Sequence, residues 1–256
     1  NQAGLSAVYD ANLSGDEIDA LYLGNMSAGK FTEQEHIGAL ISDYSGLARD
    51  HIPATRVEAA GASGGLAFRQ GVMAVASGMQ DIVVVGGAEK MTDVGDTLST
   101  EIQAMAADQQ WETSFGATFP ALHAMIARRH MHEHGTTREQ IASVAVKNHK
   151  HGALNPKAQF QKEIKLDSVL RSLPVAEPLG MFDCAPVSDG GAAVVLCPMD
   201  KARKYTDTPV KVLASAQASD TLSLANRESL CRFDATTLAA ERAFKRAGLS
   251  PKDVQL

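Results

Sequence analysis

The stretch RVEAAGASGGLAFRQG, residues 56 to 71, runs from a strand-like segment through a turn of small residues into a helix. A nucleophile at a helix N-terminus is favoured by the helix dipole, and neighbouring backbone N–H groups can receive a developing oxyanion. Read literally, Gly61-Ala62-Ser63-Gly64-Gly65 fits G-x-S-x-G, the strand–turn–helix elbow that presents a serine. Ser63 would then need a downstream acid and a histidine. Asp183, Asp189 and several histidines are available, but no spacing singles one out. Gly61, at the bend itself, brings no side chain.

Other reactive residue types are dispersed. Cys184, Cys197 and Cys231 form neither a CxxC pair nor a disulfide pattern, which suits a reducing cytosol. In RRHMHEHG, His130 and His134 stand at i, i+4, a spacing able to ligate metal. HExxH is absent and Gly135 stops the helix, so the histidine trio reads as a solvated helix end and no metal is expected.

The elements that must position these residues alternate. Helices are expected over 3–12, 36–47 and 63–79, and strands over 18–24, 55–60 and 81–86. Gly64, Ala67, Gly71, Ala74 and Gly78 give the third helix a small-residue face that can approach other backbone closely. DIVVVG reads as a strand covered on both faces, and the alternation argues for a mostly parallel sheet. Residues 96–177 carry helices, notably 119–134 and 138–150, with little strand signal. Strands resume at 189–197 and 209–217. The two ends look alike: AVYDANLSGDEIDAL from Ala7 matches AFKRAGLSPKDVQL from Ala243, each a helix tail, a Leu-Ser turn, an acid and a strand start.

RVEAAGASGGLAFRQGVMAVASGMQDIVVVGGAEKMTD closely resembles the nucleophile segment of thiolases, especially the archaeal acetyl-CoA acetyltransferase and sterol-carrier-type branch. GTTREQIASVAVKNHKHGALNP and FDCAPVSDGGAAVVL resemble two further segments of that family, in the same order. The resemblance covers nearly the whole chain. It implies an α/β thiolase fold, a duplicated βαβαβαββ unit in αβαβα layers with a helical insertion. Residues 1–95 and 178–206 would form the N-terminal domain, 96–177 the inserted loop domain over the coenzyme A site, and 207–256 the start of a second, incomplete domain. DIVVVGG and the strand before Gly61 would lie where thiolases pair sheets across a two-fold axis.

In that family the elbow reads A-C-A-S-G, and its cysteine accepts the acyl group. Here the matching position is Gly61, which leaves the place of the nucleophile without its sulfur. The glycine is either a change that traps bound substrate or a natural loss of activity. The resemblance makes Ser63 a packing or turn residue, puts the substrate-binding segment from Phe119 to His123 nearest the thioester, and makes His123 the contact to pantetheine. Asp183, Cys184 and Ala185 would line the pocket floor. The family's N-E-A-F or H-D-A-F and G-H-P-x-G histidine segments are not found, the first being expected just after Leu256. The implied reaction is the Claisen condensation of two acetyl-CoA to acetoacetyl-CoA, or its reversal. It uses no cofactor beyond the coenzyme A thioester itself. Implied partners are a second copy, as homodimer or homotetramer, and a hydroxymethylglutaryl-CoA synthase with an OB-fold adaptor. A non-catalytic coenzyme A-binding subunit, a ketoacyl-synthase-type condensing enzyme and a Ser63 hydrolase are the competing readings.

Composition narrows the classes further. The 256 residues are 45% hydrophobic, enough for a sizeable core, and the net charge of −6 with only 5% aromatic residues disfavours a nucleic-acid partner. Apolar runs such as 82–85 and 192–197 are far too short to span a membrane, and no secretion signal opens the chain. The expected location is cytoplasmic.

Overall fold

The computed structural model describes residues 2–255. Its strands are β1 (Ala20–Gly24), β2 (Ala54–Val57), β3 (Val83–Glu89), β4 (Pro174–Ala176), β5 (Leu179–Gly180) and β6 (Gly190–Leu196). The helices are α1 (Gln2–Asp10), α2 (Ala28–Phe31), α3 (Ile37–Ser45), α4 (Ser63–Ala76) and α5 (Asp96–Ala104). They continue with α6 (Phe119–His134), α7 (Arg138–Ala153), α8 (Leu166–Leu170), α9 (Met199–Ala202) and α10 (Asp234–Ala247). Two compact units result. The first holds Asn1–Val94, Asp189–Ala218 and Ala235–Leu256, and the second holds Gly95–Ser188 and Ser219–Asp234.

The first unit is a four-stranded sheet of order β2-β1-β3-β6. β1 runs parallel to β2 and β3, while β6 returns antiparallel, with Val83 opposite Leu196 and Glu89 opposite Gly190. Strand side chains alternate between faces, so Ala20, Val83 and Val85 turn towards Ala67 on α4. Ile18, Leu21 and Val84 instead pack with Leu47, Val8 and Ile41. Burial on both faces explains why DIVVVG reads as one unbroken apolar run. Burying a Val83-sized side chain contributes about 1.5–3 kcal/mol, and Val83 is fully buried.

Three expectations are corrected here. DIVVVGG cannot offer a dimer edge, because β1 and β6 occupy both sides of β3, whereas β2 pairs only with β1 among the described residues. The helix begun at Ser63 ends at Ala76, since Gly78 adopts φ +73, outside the helical range. Residues 209–217 form no strand; the Ser215 carbonyl accepts from Arg69 (2.7 Å) and Arg246 (2.9 Å), and that of Gln217 from Arg242 (3.0 Å). Arginine side chains occupy those carbonyls in place of a ladder.

The terminal repeat has a structural counterpart. Leu13 N–H donates to the Val8 carbonyl (3.0 Å), as Leu249 does to Phe244 (3.1 Å), and Asn12 and Gly248 before them both have positive φ. Ser14 and Ser250 then open short 3-10 turns, each with its N–H donating to an acid three residues on, Glu17 at 3.2 Å and Asp253 at 2.8 Å. The copies differ in burial: Leu13 is buried and Ile18 is 3% exposed, whereas Val254 is 52% exposed.

The second unit is mostly helical, with one small antiparallel β4–β5 pair. Its α6 begins where Thr118 accepts the Ala121 N–H and Pro120 fills the first turn, and it ends at Gly135 with φ +67. The Thr137–Gln140 capping box starts α7, whose Ala142 and Ala145 pack on Val169 of α8.

Candidate active site

β2 ends at Val57, and the chain turns through Ala60, held at φ +45, into the short turn Ala60–Ala62 and then α4. A left-handed alanine costs on the order of 1 kcal/mol, and the turn supplies compensation. Ser63 Oγ accepts the Ala59 N–H (2.9 Å) and donates to the Ala60 carbonyl (2.7 Å), while Glu58 accepts the Ala60 N–H. The Ser63 hydroxyl is buried and fully engaged in shaping this bend.

Gly61 is exposed at the N-terminal side of α4, and a Cβ built on it meets no atom within 4 Å. Its φ lies outside the left-handed range, so an ordinary side chain fits. The helix end itself lies against glycine. A Cβ on Gly24, the last residue of β1, would stand 2.4 Å from the Ser63 carbonyl oxygen and 2.6 Å from the Gly64 nitrogen. On Gly87 of β3 it would stand 3.5 Å from the Gly64 Cα. The close approach of α4 thus rests on Gly24, Gly87 and Gly71, the last facing Val85 and Leu196. Gly64 itself has open space on its own Cβ side, unlike the face read from the sequence.

A polar network along the C-terminal ends of β1 and β3 escaped the sequence reading. Buried Asn25 donates to the Ala88 carbonyl and to Glu89 Oε1, both at 2.8 Å, and Glu89 accepts from the Met26 N–H (2.8 Å) and Ser27 N–H (3.2 Å). Arg56 Nη2 adds a bond to the Met26 carbonyl (2.7 Å). Each partner is an ordinary residue type, and only the sheet brings positions 25 and 89 together; the one local signal is an asparagine directly after a strand.

Asp189, just before β6, fastens the loop after β3 by accepting from the Met91 N–H (2.7 Å) and Thr92 Oγ1 (2.6 Å). These bonds, the Thr92 hydroxyl first, lower its carboxyl from an ordinary 3.8 to about 2. A depressed carboxylate contributes stability that is complete above its unfolded value and lost as pH falls through its folded one. The loop anchor is therefore expected to persist at pH 3.5 and to release as pH approaches 2, which a carboxyl carbon NMR titration of Asp189 would follow. A midpoint at the ordinary value would contradict it.

In the second unit, Asp183, Cys184 and Ala185 line one cleft of ≈ 590 Å³ with His149 and Phe160. Asp183, its side chain 4% exposed, is held in a two-pronged ion pair by Arg138 and accepts the Gly180 N–H (2.8 Å), so its charge is already matched. Burial, then the Asp183 carboxylate, pushes the Cys184 thiol up. Burial also raises Cys197 and Cys231, and none of the three is poised as a thiolate. Phe119 and His123 stand apart from this cleft on exposed α6, their rings 4.6 Å apart. His123 Nδ1 lies 3.0 Å from the Phe119 carbonyl, which makes it the protonated nitrogen and leaves Nε2 as an acceptor.

Comparisons with known proteins place the chain in a family. The family described as Thiolase, N-terminal domain, matches residues 1–200. An acetyl-CoA acetyltransferase of Methanothermobacter thermautotrophicus is 57% identical over 255 residues, covering 100% of this chain and 66% of its own length. That of Methanocaldococcus jannaschii is 49% identical, covering 100% and 64%. The chain therefore spans just under two thirds of these relatives. Among solved structures, the Ltp2–ChsH2(DUF35) aldolase superposes with a TM-score of 0.79 at 32% identity, over 98% of this chain and 64% of that one.

Proposed function

The chain belongs to the thiolase family through its N-terminal domain, and from that premise we propose that Gly61 marks the acyl-acceptor position of an acetyl-CoA acetyltransferase that lacks its sulfur. The observation that carries this reading is the open Cβ position at the start of α4, beside a serine already committed to the turn. With a thiolate there, acetyl-CoA would pass its acetyl group to sulfur and release CoA; the enolate of a second acetyl-CoA, formed by loss of its α-proton to a general base, would then attack that thioester and expel the thiolate to give acetoacetyl-CoA. N–H groups of the turn would hold the oxyanion. As a glycine, the position accepts no acyl group, so this chain binds but does not turn over. The reaction draws on no cofactor.

Residues 1–95 and 178–206 form the N-terminal thiolase domain in this reading, 96–177 the coenzyme A-binding lobe, and 207–256 the opening of the second domain. The repeated helix–turn geometry around Ser14 and Ser250 supports that last assignment. A second copy would pair along the open edge of β2, and the setting is cytoplasmic. A hydroxymethylglutaryl-CoA synthase with an OB-fold adaptor would be the partners in the cell.

Phe119 and His123 would meet the pantetheine arm, His123 Nε2 accepting an amide N–H. Calorimetry with coenzyme A is expected to show binding, and His123→Ala is expected to weaken it up to about tenfold, the worth of one hydrogen bond. Absence of coenzyme A binding would overturn the proposed function.

A further inference from the structure

The C-terminal end of α6 carries a donor set that the acyl chemistry does not use. His134 Nε2 lies 3.9 Å from Glu133 Oε2. The Cys231 thiol, from a segment nearly a hundred residues on, lies beside the same glutamate. One ligand atom from each of Glu133, His134 and Cys231 lies within 4.8 Å of the others. The geometry points to a binding site for a zinc-class divalent cation, ligated by Cys231 Sγ, a His134 ring nitrogen and Glu133 Oε2.

The donor chemistry selects the metal. Thiolate and imidazole with one carboxylate suit a borderline-soft, tetrahedral ion, and disfavour magnesium or calcium, which require oxygen cages. Donors a few ångströms apart need only small side-chain rotations to meet around a centre at 2.0–2.3 Å. Arg129 bonds the other carboxylate oxygen, Oε1, at 2.5 Å and so fixes Glu133 without blocking Oε2. The His130 ring lies tilted against that of His134, 4.6 Å between centroids, with Nδ1 2.8 Å from Thr136 Oγ1, which leaves its Nε2 as a neighbour to bound water. The last turn of a helix also favours a cation. On binding, the Cys231 sulfur exchanges its proton for the metal, and the proton leaves to solvent.

The site has a structural consequence. Ser219–Asp234 is a separate strap within the second unit. One end is tied down by buried Glu112, which accepts from the Leu224 N–H (2.7 Å) and Ser223 Oγ (3.4 Å). A metal at Cys231 would clamp the other end to α6.

Titration of the purified protein with cobalt(II) alone, then displacement by zinc, tests this. A thiolate-to-cobalt charge-transfer absorption is expected to saturate at one metal per chain and to vanish in Cys231→Ser. His134→Ala should weaken binding at least roughly tenfold, whereas His132→Ala, on the same helix, should leave it unchanged. In the unsubstituted chain, zinc should protect Cys231, but not Cys184 or Cys197, from alkylation, a readout independent of any variant's folding. No thiolate absorption, its persistence in Cys231→Ser, or equal alkylation of Cys231 with and without zinc would each overturn the site.

Discussion

Replacing Gly61 by cysteine is expected to raise thiolysis of acetoacetyl-CoA by at least roughly 10⁴-fold, the scale on which loss of a nucleophile acts. The assay requires a chain of the full length of the acetyltransferase relatives, since this one spans 66% of the first and 64% of the second. The substitution is structurally cheap. No atom lies within 4 Å of the new Cβ, and the backbone is not left-handed there. A thiol at that point would gain from the helix N-terminus, which lowers thiol pKa and raises the thiolate fraction. Ser63→Ala in the same background should lower stability, through the lost Ala59 and Ala60 bonds, by about 1 kcal/mol each. It should leave the acyl transfer to sulfur intact.

Gly24→Ala is expected to destabilise the fold by about 3 kcal/mol or more, although it adds a single carbon. That carbon would meet the Ser63 carbonyl oxygen at 2.4 Å and its carbon at 2.5 Å, and these are helix backbone atoms without rotamers to change. Relief requires α4 to lift away from β1, which would open the packing of Ala67 against Val83 and Val85. The elbow would move with it. Gly61→Ala is the matched control, expected within about 0.5 kcal/mol of the parent. Urea unfolding with an unchanged slope and a lower midpoint is the expected result for Gly24→Ala. An unchanged midpoint would mean that the close contact between β1 and α4 does not hold the elbow.

Elements whose boundaries are written in local chemistry were legible in the sequence. Helix α6 spans 119–134 as read, because Thr118, Pro120 and Gly135 each act on their own turn. The strand expected at 209–217 failed for the opposite reason: a strand is defined by its partner, and these carbonyls found arginines. The place of β3 inside the sheet was equally hidden, since an apolar run looks the same wherever both faces are covered. At the site, the bend at Gly61 and the turn role of Ser63 followed from residue types and the family pattern. The Asn25–Glu89 network and the Glu133–Cys231 contact did not. They join residues 64 and 98 positions apart in ordinary sequence contexts, and only the folded chain makes them neighbours.

The central claim is that acyl transfer belongs to position 61 and not to position 63. Brief exposure of Gly61→Cys, in the full-length background, to acetyl-CoA labelled in its acetyl group, followed by acid quenching and peptide mass spectrometry, addresses it directly. The account requires one acetyl group on the residue 61 sulfur, released by hydroxylamine, and no label in the unsubstituted glycine chain. An acetyl ester on Ser63 in the glycine chain, abolished by Ser63→Ala, would contradict it.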